Sequence, residues 1–325
     1  MSCSALAPAA TPPAFPTEYV IPTRSPAPSP SPFTGHYGVL VATSAGYAVR
    51  RETDATTIAT IDLENVAVSP DGHLVAGFTK GGRELRVAEV ATPNNYKSLE
   101  LPSGETGLYA AWSVDQSGVI YSVGGKGWSA LRTFTFAGKP PAEIARLDGV
   151  ILRPALWDPV GGELAAAFVV DGGFAREYVV IRGTDPPERK ELPDKQWQET
   201  PAVSGDGRWV VLASTTEATV RVFQSDVPNV ILESHGVNSD ATSSAIGRPQ
   251  SSHLGVVFDR EFLIWDPSTN ARGSVPTPDE VLGIVCFRFD GSAAVVKTAT
   301  GLALATFDGK LTPLTGDVRF GVALP

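Results

Sequence analysis

The residue types that perform most enzyme chemistry are few in this 325-residue chain, and their spacing does not match a known local site. The histidines and cysteines are His36, His73, His235, His253, Cys3 and Cys286. None of them forms a His-x-x-x-His or Cys-x-x-Cys pair, the spacings that place two ligands on one metal ion. A Gly-x-Ser-x-Gly nucleophile motif is also absent from the sequence. The sequence therefore predicts no metal site, no cofactor and no catalytic residue.

Aspartates recur beside glycine in short turns, as in Ser69–Gly72 (SPDG) and Ser204–Gly207 (SGDG). Ser113–Asp115 approaches the Ser-x-Asp-x-Gly-x-Thr-Trp box of sialidases, but Gly118 comes one place late and no Trp follows. An aspartate in such a turn accepts hydrogen bonds from the backbone amides that follow it. We interpret these aspartates as structural turn residues rather than as a catalytic set.

Each of these turns separates two apolar runs, and the unit recurs along the chain. In Val66–Phe78 (VAVSPDGHLVAGF) the pattern predicts two antiparallel strands joined by a tight turn. Equivalent turns open at Ser69, Ser113, Asp158, Ser204, Gly247 and Arg288. Successive openings are 44, 45, 46, 43 and 41 residues apart. A period in the forties with about four short strands per unit is typical of a β-propeller, whose strands are named A to D outward from the axis.

Two incomplete units lie at the ends of the repeat. His36–Leu63 has the pattern of strands B, C and D without an A, and Val318–Pro325 has that of an A strand without its B. We therefore predict an all-β, seven-bladed propeller over residues 36–325, closed by pairing of the N- and C-terminal strands. Such closure leaves no open sheet edge between the first and last blades. A six-bladed ring, with the terminal segments packed elsewhere, is the alternative.

The turn between strands A and B resembles the one in WD40-like and TolB-like propeller repeats. It stands at Ser69–Gly72, and in weaker form at Ser204–Gly207 and Phe289–Gly291, and the resemblance covers about residues 36–325. The Gly-His and Trp-Asp pairs of WD40 repeats do not recur, and the separate N-terminal domain usual in TolB-like proteins is not evident. The resemblance implies a fold used mostly for protein–protein contacts, although fold alone does not fix function.

Large aromatic residues occur at loop tips as well as within strands. In a propeller, the B–C tips and D–A connections emerge on one face, and the A–B and C–D turns emerge on the other. Trp128 and Phe174 fall in Gly-rich B–C tips of the third and fourth blades, and Trp197 falls in the following D–A connection. Because clustered surface aromatics mark interfaces, we predict that these three residues bind a protein partner. The alternative is that each ring folds down onto its own blade.

Residues 1–35 differ from the rest and predict an extended arm. This segment is rich in Pro, Ala and Ser, with only Glu18 and Arg24 charged, a composition that favours polyproline-like chain without a core. Cys3 followed by such a linker resembles the acylated first residue of a mature bacterial lipoprotein. Only Met1 and Ser2 precede it, without the basic and apolar regions of a signal peptide. We expect either lipid attachment at Cys3, with a start that is truncated or replaced, or a cytoplasmic protein.

The formal charge of −9 favours a protein partner over nucleic acid or anionic lipid. No apolar run approaches the roughly 20 residues of a membrane helix. We therefore expect a non-catalytic, membrane-extrinsic scaffold that stabilises partner proteins of a multi-subunit envelope or bioenergetic membrane complex, respiratory or photosynthetic, at a periplasmic or extracytoplasmic surface. The alternative is a hydrolase, a lyase, or a small-ligand or sugar-binding propeller, with carboxylates that meet at the central channel.

Overall fold

The structure is a computed structural model that describes residues 35–160, 163–192, 197–198, 201–214, 216, 218–235, 244–248, 251–258, 261–275, 281–306 and 309–324. All regular elements in these residues are β-strands, so none of them is a helix that could cross a membrane. The strands form seven antiparallel sheets, which are the blades of a propeller. The predicted seven-bladed fold is confirmed. Cys3 and all of the predicted arm except Gly35 lie outside the described residues.

The composite blade is blade 1, and the strands of each blade run outward from the axis in the order A to D. Blade 1 contains β29 (Asp317–Leu324), β1 (His36–Thr43), β2 (Gly46–Arg51) and β3 (Thr57–Ile61). Blade 2 contains β4 (Glu64–Val68), β5 (Leu74–Phe78), β6 (Glu84–Glu89) and β7 (Tyr96–Glu100). Blade 3 contains β8 (Thr106–Trp112), β9 (Gly118–Gly125), β10 (Trp128–Thr135) and β11 (Ala142–Asp148). Blade 4 contains β12 (Ile151–Asp158), β13 (Leu164–Asp171), β14 (Phe174–Arg182), β15 (Glu188–Glu191) and a fifth strand, β16 (Trp197–Gln198).

The last three blades repeat the four-stranded pattern. Blade 5 contains β17 (Ala202–Val203), β18 (Trp209–Ala213), β19 (Thr219–Gln224) and β20 (Val230–His235). Blade 6 contains β21 (Ser244–Gly247), β22 (Leu254–Phe258), β23 (Glu261–Asp266) and β24 (Ala271–Val275). Blade 7 contains β25 (Val281–Phe287), β26 (Ala293–Thr298), β27 (Gly301–Thr306) and β28 (Leu311–Leu314).

The position of a strand within its blade explains its composition. A B strand is covered by neighbouring blades on both faces, and seven of the eight residues of β13 (LAAAFVVD) are buried. Strands buried on both sides have near-continuous apolar runs rather than alternating ones. All four residues of the outer strand β15 (ERKE) are exposed. The core therefore consists of the layers between adjacent blades.

Pairing of β29 with β1 closes the ring as predicted. The register joins His36 to Leu324 and Val39 to Gly321. Leu40 of β1 packs toward blade 2, whereas Val39 and Val318 pack toward blade 7. A Cβ on Gly321 would stand 2.4 Å from the Phe287 carbonyl oxygen, so glycine permits the close approach of blade 7 at this point.

The A–B turns of blades 2, 3, 5, 6 and 7 share one hydrogen-bond pattern, and this pattern corrects the predicted start of one turn. The amide of the residue that opens the turn donates to the carbonyl of the residue five places later, as from Ser69 to Leu74 at 2.9 Å. In blade 6 this bond runs from Arg248 to His253 at 3.0 Å, so the turn opens at Arg248 and the prediction of Gly247 is wrong by one residue. Gly247 instead fits against blade 5, where a Cβ would collide with the Val203 carbonyl oxygen.

Candidate functional site

Trp128 begins β10 at the B–C tip of blade 3, where its side chain is half-buried. The ring lies against the neighbouring strand, because a Cβ on Gly125 would stand 2.3 Å from Trp128 Cε2. The Arg146 guanidinium carbon is 3.9 Å from the ring centroid, a cation–π contact. The ring therefore packs partly onto its own blade, with the rest at the surface beside a cation.

Phe174 has the same position in blade 4 and is also half-buried, at the start of β14. The Arg176 guanidinium carbon lies 5.4 Å from its ring centroid. Ile151, at the start of β12, is 45% exposed, and sequence analysis did not identify it as a surface residue. Ile151 pairs with Val170 of β13, and the next residue of that strand, Asp171, pairs with Phe174. We call Trp128, Ile151 and Phe174 the tip cluster, since all three lie on the B–C face of adjacent blades.

Trp197 does not belong to the tip cluster, and its predicted exposure is wrong. The side chain is only 1% exposed and packs in the core with Tyr178 and Leu212. The reason is local pairing: β15 covers only Glu177–Val180 of β14, and β16 continues along the same edge, with Trp197 opposite Ala175. The D–A connection thus folds back onto the blade. Of the other tryptophans, Trp112, Trp157 and Trp265 are buried and Trp209 is half-buried, as predicted for blade packing.

Arg146, whose guanidinium lies over the Trp128 ring, belongs to a network of ion pairs. Arg132 forms a bidentate pair with Glu105, with nitrogen–oxygen distances of 2.5 and 2.8 Å, and contacts Glu143 at 3.1 Å. Glu143 also accepts two hydrogen bonds from Arg146, at 2.9 and 2.8 Å. The bond from Arg146 is the main cause that lowers the pKa of Glu143, and partial burial opposes it. Trp128 therefore has a charged border made of Arg146 and its ion-pair partners.

The A strands surround a central cavity of about 360 Å³, and its described lining is mainly apolar. Its larger side chains include Trp112, Leu156, Phe287, Phe289 and Phe320. Arg153 is the one charged residue among the described lining residues, and its guanidinium carbon lies 4.4 Å from the Tyr109 ring centroid. No Asp, Glu, His, Lys or Tyr is among the described residues that line this cavity.

Two histidines and two aspartates that could take part in chemistry lie in or beside A–B turns. His73 and His253 each precede a B strand; His73 is exposed, and His253 shares a 2.9 Å hydrogen bond with Ser251. Asp71 and Asp206 accept turn hydrogen bonds from the serines that open their turns, each at 2.6 Å, in agreement with a structural role. Within the described ranges, no group of three or more His, Cys, Asp or Glu residues is arranged to hold a metal ion.

Comparisons with known proteins support the fold and leave the activity open. No family model matches the chain, and a search of curated proteins found no match. A protein from Bacteroides fragilis NCTC 9343, provisionally assigned as a 6-phosphogluconolactonase, matches with a TM-score of 0.59 at 11% identity, over 91% of this chain and all of its own. AztD from Citrobacter koseri matches with a TM-score of 0.56 at 11% identity, over 87% and 83% of the two chains.

A third match is the β-propeller domain of Cps50 (Swd1) from Myceliophteria thermophila, with a TM-score of 0.55 at 13% identity over 80% of this chain and 88% of that domain. The chain thus shares the propeller architecture of WD40 proteins and of lactonase-like propellers. At these identities the likeness shows the fold alone.

Proposed function

We propose that this protein is a non-catalytic scaffold propeller that binds partner proteins through its B–C face. Its host would be a multi-subunit envelope or bioenergetic membrane complex, respiratory or photosynthetic. The protein would be membrane-extrinsic and would lie at the periplasmic or extracytoplasmic surface, with attachment through the arm, the partner or an acylated Cys3. A cytoplasmic location is the alternative if Cys3 carries no lipid.

The tip cluster is the observation that carries this proposal. It places Trp128, Phe174 and the 45% exposed Ile151 on one face of adjacent blades. Around Trp128, the ion pairs of Arg132 and Arg146 supply a polar border. An apolar centre with a polar rim, enriched in Trp and Arg, is the usual anatomy of a protein interface.

The central channel supports the same proposal. Its described lining residues are apolar apart from Arg153, Cys286 and the serines Ser69, Ser113 and Ser204. A propeller enzyme needs acidic, basic or nucleophilic side chains that converge on a substrate. The described lining contains serines and Cys286 but no Asp, Glu, His or Lys that could activate them, which favours a structural channel.

A hydrolase is the second candidate, favoured by the structural likeness to two proteins provisionally assigned as 6-phosphogluconolactonases. In that case Arg153, beside Tyr109 in the channel, would be the residue that receives an anionic substrate. Hydrolysis of a lactone that is abolished by Arg153→Ala and retained by Trp128→Ala would select this candidate over the scaffold.

Co-purification tests the scaffold. A tagged full-length chain is recovered from detergent-solubilised membranes of its native host, and the partners are quantified by mass spectrometry. The double variant Trp128→Ala/Phe174→Ala should lose a stoichiometric partner set. Val160, which is 78% exposed on the A–B face of blade 4, provides the matched control, and Val160→Ala should retain the set. Equal recovery with the wild type and both variants would refute binding through the tip cluster.

The arm has a separate test. A chain without residues 1–32 should fold, since the first described strand begins at His36, and should associate more weakly with the membrane complex. Cys3→Ser distinguishes attachment by lipid from attachment by protein contact. If an acyl chain is the anchor, this substitution should release the protein from the membrane as fully as deletion of residues 1–32 does.

A further inference from the structure

A second cavity, of about 300 Å³, lies where the composite blade meets blade 7. One side is formed by β1, β2 and the turn that follows β2, and the other by β28 and Thr315. Its lining includes the apolar residues Val39, Pro313, Leu314 and Val318 and the charged residues Arg50, Arg51, Glu52 and Asp54. We call this cavity the seam pocket.

Arg50 faces blade 7 from the middle of the composite blade. It lies directly opposite Val39 in the β1–β2 register, and paired residues present their side chains on the same face of a sheet. Val39 packs in the layer shared with Leu304 of blade 7, so this face is the one that borders the seam. A Cβ on Gly316 would stand 3.3 Å from Arg50 Nη1, which shows how closely the guanidinium passes the connection between the two blades.

Arg50 has an unsatisfied hydrogen-bond donor at the pocket. Its Nε is buried, and no described residue accepts a hydrogen bond from it. The two acids beside it have other partners: Asp54 pairs with Arg51 at 3.2 Å, and Glu52 accepts hydrogen bonds from Arg288. Arg51 Nε also lacks an acceptor, but the pairing with Asp54 balances the charge of Arg51, whereas Arg50 has no such partner among the described residues. A buried donor without an acceptor is unfavourable, and an arginine donor is best satisfied by an oxyanion that takes two parallel hydrogen bonds.

We propose that the seam pocket binds a small organic carboxylate with an apolar body, held by Arg50. The second arginine of the pocket, Arg51, is already paired with Asp54, so the guanidinium of Arg50 is the one available to match a single negative charge. The carboxylates of Glu52 and Asp54 at the pocket disfavour a dianion such as phosphate. The Val, Leu and Pro walls suit an apolar body, and a volume of about 300 Å³ accommodates a ring or a short branched chain. The binding site is independent of the tip cluster and of the scaffold role.

A ligand in this pocket would contact both the composite blade 1 and the neighbouring blade 7. Blade 1 provides Arg50 and Val39, and blade 7 provides Leu314 and Pro313. Anything that binds the folded protein and not the unfolded chain raises the melting temperature by mass action. Carboxylate binding should therefore be visible as thermal stabilisation as well as binding heat.

The test is calorimetric titration and thermal melting of the full chain with sodium benzoate, sodium acetate and sodium phosphate at matched ionic strength. We expect benzoate to bind and to raise the melting temperature, acetate to bind more weakly because it lacks the apolar body, and phosphate not to bind. Arg50→Gln should weaken benzoate binding at least about tenfold, and Arg50→Lys should have an intermediate effect because it keeps only the charge. Arg319→Gln is the matched control, since Arg319 lies on β29 of the same blade and pairs with Asp317.

Three results would overturn the proposal. The first is a wild-type protein that binds none of the three anions. The second is benzoate binding that Arg50→Gln leaves intact, or that Arg319→Gln weakens as much. The third is phosphate binding equal to or tighter than benzoate binding, which would contradict the ligand class. The wild-type titrations do not depend on the folding of any variant.

Discussion

The Tyr37 hydroxyl donates a 2.7 Å hydrogen bond to Asp290 Oδ2, across 253 positions of the chain. Tyr37 lies in β1 of the composite blade, and Asp290 lies in the A–B turn of blade 7. The Arg288 guanidinium carbon is 4.2 Å from the Tyr37 ring centroid, and Arg288 Nε donates to Glu52 at 2.9 Å. Polar contacts on the A–B face thus join the first described strand to the last blade.

Removal of β29 should open the ring. A chain that ends at Gly316 loses the A strand of blade 1 and exposes the edge of β1, together with the apolar surface that Val318 and Val322 cover. We expect an insoluble protein or a large loss of thermal stability, because an unpaired edge and an open core promote aggregation. Thermal melting and size-exclusion chromatography measure the effect. A truncated chain that melts like the full one would contradict closure by this strand.

Asp290 should contribute to stability at neutral pH and lose that contribution in acid. Burial opposes its ionisation, but the Ser292 amide, the Tyr37 hydroxyl and Arg288 outweigh burial and lower the pKa of its carboxyl. A lowered folded-state pKa stabilises the fold above the unfolded value of about 3.9, and the stabilisation disappears as the pH falls through the folded pKa.

Asp290→Asn should therefore reduce the free energy of unfolding at pH 7 by about 1–2 kcal/mol and flatten its decline below about pH 4. Denaturant titrations from pH 7 to pH 2 measure both effects. Tyr37→Phe keeps the carboxylate and removes one donor, so it should shift the acid transition to higher pH. Identical pH profiles for the wild type and Asp290→Asn would show that this contact contributes nothing.

Trp197 and Trp128 should respond oppositely to truncation. Trp197→Ala removes a ring that is 1% exposed from the core of blades 4 and 5, which should cost about 3–5 kcal/mol of unfolding free energy. Trp128→Ala removes a half-buried ring at a loop tip. The loss of packing should lower the unfolding free energy by about 1 kcal/mol or less, in addition to the loss of the cation–π contact with Arg146. Chemical denaturation distinguishes them. Similar large losses for both variants would place Trp128 in the core and weaken its role as a contact residue.

Cys286 should be inert in the folded protein. Its thiol is buried, and burial raises its pKa to about 12, so very little thiolate exists at pH 8. In a Cys3→Ser variant, a thiol reagent such as iodoacetamide should label the native protein slowly and the denatured protein fully, as measured by intact mass. Rapid labelling under native conditions would contradict burial of this thiol.

Sequence periodicity was sufficient to predict the blades and the closing strand pair, because strand composition follows burial within a repeated unit. It was not sufficient for Trp197. The segment before Trp197 contains Pro and Lys, a composition typical of a solvent-exposed loop. Burial of Trp197 follows from the pairing of β16 with the end of β14 that β15 leaves free, which only the structure shows. The sequence did not identify Arg50 as a binding residue either, because two adjacent arginines at the end of a strand do not show which of them faces a cavity. Its importance depends on which face of the sheet borders blade 7, which requires the three-dimensional register.

The central claim is that a partner protein binds the B–C face, and cross-linking mass spectrometry of the native complex tests it most directly. Exposed lysines mark both faces: Lys80 and Lys126 lie in B–C tips, whereas Lys139 and Lys310 lie in C–D turns. We predict that cross-links to partner proteins form from Lys80 and Lys126 and are lost in Trp128→Ala/Phe174→Ala. Partner cross-links confined to Lys139 and Lys310, or a protein recovered without cross-linked partners, would contradict the scaffold function proposed for this face.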